Sequence, residues 1–233
     1  MSSLDDWLKS AGYAIDGIIH AAKTQRHLRY HFYAAFVVLF LSFLLGVARN
    51  EFLIISVSVI LVLLAEMLNT AIEATVDLIS PERCEKARIA KDIAAGTVFI
   101  TSCGVAVVGS IILFPYAQNL FTNGFRIARH SGQDIALLAI VFVLIAVVLL
   151  KARFGGGTTL AGGMPSGHAA LAYSAWVSIT YLTSSFAASA IAFVMAFAVA
   201  RSRTKKKVHR PIEVVAGGAL GAIITFFFFR LFS

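Results

Sequence analysis

Seven long apolar runs, at about residues 31–48, 52–76, 93–116, 134–151, 166–184, 187–201 and 211–231, leave this chain few ways to fold. Each is close to the roughly 20 residues an α-helix needs to cross the hydrocarbon of a bilayer. There, every backbone N–H and C=O must be satisfied within its own segment. With 59% hydrophobic and 14% charged residues over 233 positions, the runs hold more apolar surface than a water-soluble domain of this length buries. The expected fold class is all-α: a polytopic membrane protein of about seven transmembrane helices. Ahead of the first run, Leu4, Leu8, Ala11, Ile15, Ile18 and Ile19 recur at helical spacing. This predicts an N-terminal amphipathic helix over 4–23, lying on the cytosolic membrane face.

A net charge of +8 would ordinarily point to nucleic acid, but the positions of the charges point elsewhere. Lys9, Lys23, Arg26 and Arg29 precede the first run, and Arg83, Lys86, Arg88 and Lys91 lie between the second and third. Lys151 and Arg153 follow the fourth, and Arg201, Arg203, Lys205, Lys206, Lys207 and Arg210 lie between the sixth and seventh. With seven crossings all of these share one side, and only Arg49, Arg126, Arg129 and Arg230 take the other. The positive-inside bias therefore puts the N-terminus and the basic loops in the cytosol, facing anionic headgroups rather than nucleic acid. Cys84 and Cys103 form neither a disulfide framework nor a metal motif. Met1 to Lys23 lacks the apolar core and small-residue site of a cleavable signal. The polar stretch at 118–133, rich in Asn, Gly and Ser, reads as a connector between a three-span domain at 1–117 and a four-span domain at 134–233.

Within the second run, Glu66, Asn69, Glu73 and Asp77 are spaced three, four and four residues apart. At 3.6 residues per turn they form one stripe along a membrane helix. Carboxylates at membrane depth are costly and by default functional. Hydrogen bonding to a neighbouring helix, or a salt bridge to Lys91, is the bland alternative. The stripe's run toward the basic segment 82–92 suits a divalent cation, whose hard oxygen ligands would in turn hold phosphates.

The stretch Glu66 to Asp77, followed by Ala90-Lys91-Asp92, resembles the prokaryotic diacylglycerol kinase and undecaprenol kinase family over about 4–116. The resemblance implies an enzyme of the bacterial inner membrane that uses ATP and Mg²⁺ to phosphorylate a lipid hydroxyl at the cytosolic interface. It implies Glu66 as the base beside that hydroxyl and Glu73 as a metal ligand. Asn69, Asp77, Lys91 and Asp92 would position nucleotide and phosphates. It also implies a homotrimer. One departure stands out: a family glutamate that shares the metal corresponds here to Gln25, a neutral and weaker ligand. No Walker-type Gly-rich loop is present.

In the second half, Pro165 and Pro211 stand near the starts of apolar runs, where proline suits a first helical turn. Ser166, Gly167 and His168 would then offer N–H groups at a helix N-terminus, a cradle for phosphate. Glu213 stands four residues after His209, a spacing that lets its carboxylate bond one imidazole nitrogen and leave the other free to attack phosphorus. His168 could protonate a departing lipid oxygen, and Arg203 and Lys151 could stabilise the transferring group. Taken singly, a histidine at a helix end is an interfacial residue, Lys205–Lys207 a membrane anchor, and Gly155–Gly157 with Gly162–Gly163 a flexible loop.

Pro165-Ser166-Gly167-His168 together with Ser202-Arg203, His209 and Glu213 resembles the type 2 phosphatidic acid phosphatase family over about 134–231. The resemblance implies catalysis without a cofactor, through a phosphohistidine at His209. His168 would be the general acid and Glu213, standing where relatives have Asp, the orienting group. Lys151, Ser166, Gly167 and Arg203 would bind phosphate. Relatives carry Lys, six residues, then Arg-Pro; after Lys151 those two places hold Thr158 and Thr159, with Arg153 the nearby guanidinium. The joint expectation is a fused lipid kinase and lipid phosphatase acting on undecaprenyl lipids or on diacylglycerol and phosphatidic acid. A phosphatase on a kinase-like scaffold, and a non-enzymatic lipid-phosphate binder or transporter, remain alternatives.

Overall fold

The computed structural model describes residues 3–82, 84–124, 127–154, 163–205 and 209–233, with side chains from residue 10 onward. Arg83, Arg126, Thr158, Thr159, Lys206, Lys207 and the glycines at 155–157 and 162 lie outside the described residues, as do the side chains of Leu4, Leu8 and Lys9. Among the described residues the secondary structure is helical: α1 (Ser3–Thr24), α2 (Arg26–Leu44), α3 (Arg49–Ile79), α4 (Glu85–Asn123), α5 (Gly132–Phe154), α6 (Gly167–Thr183), α7 (Phe186–Lys205) and α8 (Pro211–Phe232). Helices α2, α3, α4, α5, α7 and α8 are long and apolar enough to cross a membrane. Six of the seven expected spans are helices of this kind; the remaining one, α6, is shorter at 17 residues. Its N-cap Ser166 is extended (φ −70°, ψ 111°), and its C-cap Ser184 turns left-handed (φ 49°) two residues before α7 begins. The molecule is a multi-pass α-helical membrane protein.

The chain forms two compact units, residues 25–128 and residues 1–24 with 129–233. In the first, α2 and α3 form an antiparallel hairpin through Gly46, whose φ of +68° favours glycine and whose missing Cβ leaves room for Ala128. Phe43 and Phe52 meet edge to face near that turn, with centroids 6.1 Å apart. Helix α4 runs back along α3: Asp77 pairs with Lys91 at one end, and at the other the Tyr116 hydroxyl donates to Glu51 at 2.6 Å.

α3 and α4 reach well past the apolar runs. Their 31 and 39 residues correspond to ~46 and ~58 Å, against a hydrocarbon layer of ~30 Å. The first turns of α4 are held by Arg88, which bonds Glu85 three residues before it and Asp92 four after, both at 2.6 Å. The connector boundary also moves. Residues 118–123 are helical, and α4 ends at Gly124 (φ 76°), so the chain stops where the backbone permits it rather than where polarity begins.

In the second unit the contacts fix helix directions. Gly217, Gly221 and Thr225 of α8 lie against Ser166, Ala170 and Ser174 of α6 in ascending order, so the two helices are parallel. Trp176 and Thr180 of α6 meet Phe193 and Ser189 of α7 in descending order, which makes that pair antiparallel. Val147 abuts Gly167 and Gly132 abuts Leu182, so α5 is antiparallel to α6. The end of α5, the start of α6, the end of α7 and the start of α8 therefore share one end of the bundle. A Cβ at Gly217 or Gly221 would run into the backbone carbonyl of Ser166 or Ala170. These glycines are what bring α8 close to α6. Phe228 and Phe229 are buried while Phe226 and Phe227 stay half exposed, so the closing run both packs and faces outward. Helix α1 packs against α5, burying Ile19, Ala21 and Ala22.

Candidate functional site

Each unit carries its own cluster of polar groups. In the α5–α8 bundle the cluster is at the shared end. His209 is buried just ahead of α8, and its Nδ1 donates to Glu213 Oε2 at 2.8 Å. The same carboxylate oxygen accepts the Arg210 N–H at 3.2 Å, so Glu213 is held from two sides. With Nδ1 carrying the proton, Nε2 keeps a lone pair; that atom is buried and has no protein partner. Two further buried atoms at this end of the bundle share this state: Ser166 Oγ at the N-cap of α6, which does not cap its own helix, and Arg203 Nε in the last turn of α7. Buried polar atoms are ordinarily bonded, so three orphans from three segments mark a place prepared for a polar ligand.

The remaining predicted residues gather at the same place. The Ser166 N–H donates to the Glu213 carbonyl at 2.9 Å, which ties the start of α6 to the start of α8. The N–H groups of Gly167, His168 and Ala169 form the first helical turn, with no acceptor inside the helix. His168 lies within electrostatic reach of Arg203, His209 and Lys151. Lys151 is 2% exposed, with Glu213, Lys23 and Asp16 as its charged neighbours. Arg153 is exposed. Two positions along an α-helix is about 200° of rotation, which turns Arg153 away from Lys151.

In the α2–α4 unit, Glu66 is the buried member of the carboxylate stripe, 5% exposed, and His31 of α2 pairs with it through Nε2 at 3.1 Å. Asn69 donates its amide N–H to Glu73 at 3.0 Å, leaving Asn69 Oδ1 buried without a partner. Asp77 is bound to Lys91, and Asp92 to Arg88. The salt bridge foreseen for Lys91 therefore exists at the last residue of the stripe and leaves the other three free of it. Gln25 is the N-cap of α2, makes no capping bond, and has no hydrogen bond to Glu73 among the described residues. Also among the described residues, no three His, Cys, Asp or Glu side chains converge as a metal cage.

Two cavities flank the stripe. One, of about 560 Å³, is mostly apolar and runs between the three helices from His31 past Val38, Val59 and Val62 to Leu113. The other, about 470 Å³, lies at the α3–α4 turn and is polar, lined by Asp77, Ser80, Glu82, Glu85, Arg88 and Lys91. Sequence reasoning did not single out His31 or Arg88. His31 becomes visible only once α2 folds against α3, whereas Arg88 could have been found from its i−3 and i+4 acidic neighbours.

The fold defines a multi-pass α-helical membrane protein with a separate cluster of buried polar groups in each unit. Comparison with known proteins gives the families. Residues 12–113 match the family described as prokaryotic diacylglycerol kinase, and residues 150–233 match the PAP2 superfamily. A diacylglycerol kinase of Haemophilus influenzae is 35% identical over 113 residues, covering 48% of this chain and 96% of that protein. An undecaprenol kinase of Bacillus subtilis is 37% identical, covering 49% of this chain and 93% of its own. A diacylglycerol kinase of Pseudomonas aeruginosa is 33% identical, with coverage of 46% and 86%. The chain belongs to the prokaryotic diacylglycerol kinase family through its first half, and its second half is similar to the PAP2 superfamily. No solved structure matches it significantly.

Proposed function

We propose that this protein handles lipid-borne phosphate at two centres, adding it to a lipid alcohol in the α2–α4 unit and removing it from a lipid phosphate or diphosphate in the α5–α8 bundle. The observation that carries the reading is the buried, unpartnered Nε2 of His209, oriented by Glu213 and accompanied by Ser166 Oγ and Arg203 Nε.

In the hydrolytic centre the Nε2 lone pair attacks phosphorus. The bond to the lipid oxygen breaks, its electron pair leaves on that oxygen, and His168 supplies the proton. Arg203, Lys151, the Ser166 hydroxyl and the first N–H groups of α6 hold the equatorial oxygens as charge builds on them. Water then attacks the phosphohistidine, returns a proton to His168 and releases inorganic phosphate. Glu213 stabilises the imidazolium in both steps, as an orienting carboxylate does for a catalytic histidine.

In the kinase centre the lipid hydroxyl gives its proton to Glu66 as its oxygen attacks the γ-phosphorus of ATP. The β–γ bridging bond breaks with its electron pair on ADP. His31 holds the Glu66 carboxylate in place, and the apolar cavity beginning at His31 suits a lipid chain. The donor set fits Mg²⁺. Asn69 Oδ1 is an orphaned hard oxygen beside Glu73, and this ion keeps several water and phosphate ligands rather than demanding an all-protein cage. When bound, Mg²⁺ would neutralise charge on the nucleotide phosphates. Lys91 and Arg88 border the polar cavity where those phosphates would lie. The reading includes a homotrimer through this half, supported by α4, whose apolar surface is almost wholly unburied within the chain.

A second reading keeps the hydrolytic centre and treats the α2–α4 unit as scaffold, favoured by the neutral Gln25. The test uses purified protein in lipid nanodiscs with undecaprenol, diacylglycerol and their phosphates, with and without labelled ATP. Transfer of label that Glu73→Ala abolishes, and phosphate release that His209→Ala abolishes, are the expected results. Release unchanged in His209→Ala sinks the hydrolytic scheme, and absence of transfer to either alcohol leaves the scaffold reading.

A further inference from the structure

The α2–α4 unit has a second orphaned atom besides Asn69 Oδ1: Ser102 Oγ of α4, buried and without a partner among the described residues. Other hydroxyls of the same helix behave differently. Thr101 donates to the Thr97 carbonyl and Ser110 to the Ala106 carbonyl, both at 2.7 Å. A helix offers Ser102 the same bond to its own backbone, and the side chain does not make it.

The level of Ser102 follows from the pairs that join α3 to α4. Asp77 meets Lys91 and, at the far end, Glu51 meets Tyr116, so the two helices run antiparallel residue for residue. Glu66 stands eleven positions before Asp77 and Ser102 eleven after Lys91, which puts them at one level. Ser102 also lines the apolar cavity of about 560 Å³, and so does His31, which bonds Glu66 at 3.1 Å. Each is the first residue of its helix in the cavity wall, and α2 and α4 run the same way, so the two mark one end. On α3 the wall stops at Leu63, a turn short of Glu66.

From this arrangement we infer that Ser102 is a specificity-determining residue of the kinase centre. Its hydroxyl donates to an ester carbonyl of the lipid, so that the alcohol phosphorylated is a diacylglycerol rather than a polyprenol. The inference rests on the kinase reading and narrows its substrate. The alcohol oxygen belongs at Glu66, just beyond the cavity, and the next few atoms of the lipid pass the cavity's end between His31 and Ser102. In a diacylglycerol those atoms carry ester carbonyls, which accept a hydrogen bond. In a polyprenol they are hydrocarbon, and the Ser102 hydroxyl stays unpaired in an apolar place. A site built to bond a substrate group rejects the analogue that lacks it for this reason. Beyond that end the cavity runs past Val105 and Gly109 to Leu113, where an acyl chain finds mostly apolar walls.

The experiment follows ADP release by the full chain in mixed micelles with ATP and Mg²⁺, which counts each phosphoryl transfer whether or not the other unit later hydrolyses the product. Three alcohols are compared: dioctanoylglycerol, its dioctyl ether, which lacks the carbonyls, and undecaprenol. Wild type is expected to favour the ester over the ether in kcat/KM by about two- to tenfold, the worth of one neutral hydrogen bond, and to use undecaprenol least. Ser102→Ala should remove the preference by lowering the value for the ester alone, and Ser102→Thr, which keeps a hydroxyl, should retain it. Because the readout is a ratio between substrates, a general loss of folding does not imitate it. The inference is overturned if wild type shows no preference for the ester, if undecaprenol is the better substrate, or if Ser102→Ala leaves the ratio unchanged. Absence of ADP release with every alcohol defeats the kinase reading itself, and the inference with it.

Discussion

His209 and Glu213 are four residues apart across the start of α8, and local geometry alone brings them to 2.8 Å. A glutamine at 213 keeps the size of the side chain but removes the charge that stabilises an imidazolium and fixes which nitrogen carries the proton. Glu213→Gln is expected to lower kcat for phosphate release by about 10²–10⁴-fold with little change in KM, read from steady-state kinetics. Retention of activity within twofold would remove Glu213 from the orienting role. In the other unit, Glu73 has an amide for a neighbour and Gln25 where a second carboxylate would bring charge. Gln25→Glu should reduce the Mg²⁺ concentration for half-maximal phosphoryl transfer by about tenfold, because ligand charge tunes the affinity of hard cations. An unchanged Mg²⁺ titration would show that residue 25 lies too far from the metal to matter. His31 was not legible in the same way. Its partner Glu66 is 35 positions away, and only the register of the α2–α3 hairpin joins them.

At the scale of elements, the parallel contact of α6 with α8 depends on glycine. The Gly217 and Gly221 positions touch backbone carbonyls of the facing helix, so no side chain fits without moving a helix. Gly221→Ala is expected to destabilise the α5–α8 bundle by about 1–3 kcal/mol, the range for overpacking, and to lower its thermal midpoint in detergent. A midpoint equal to that of the wild type would mean the helices separate at no cost. Helix ends were the least legible part of the chain. Polar residues at 118–123 read as a connector but stay helical, since their propensities differ from those of apolar residues by only a few tenths of a kcal/mol each and α4 continues until Gly124. α1 was legible as amphipathic, but its periodicity says only that one face is covered. It does not say that α5 covers it, and Ile15, counted on the apolar face, is 41% exposed.

At the scale of the whole molecule, the orientation expected from the positive-inside bias, with the basic loops in the cytosol, can be tested on the two cysteines. Cys84, exposed in the α3–α4 turn, is expected to react with a membrane-impermeant maleimide in inside-out vesicles and not in right-side-out ones. Cys103, within the candidate membrane span of α4, should resist the reagent in both. Labelling of Cys84 from the outer side would invert the proposed orientation. The sequence by itself determined the helical class, the membrane as solvent and the families, because runs of some 20 apolar residues and motifs of three- and four-residue spacing are local facts of composition and pitch. Tertiary structure alone decided which distant groups meet: His31 with Glu66, Asp77 with Lys91, the α6 N-cap with the α8 N-terminus. Those meetings follow from how helices pack against one another, and packing depends on the shape of whole faces, which no single stretch of sequence contains.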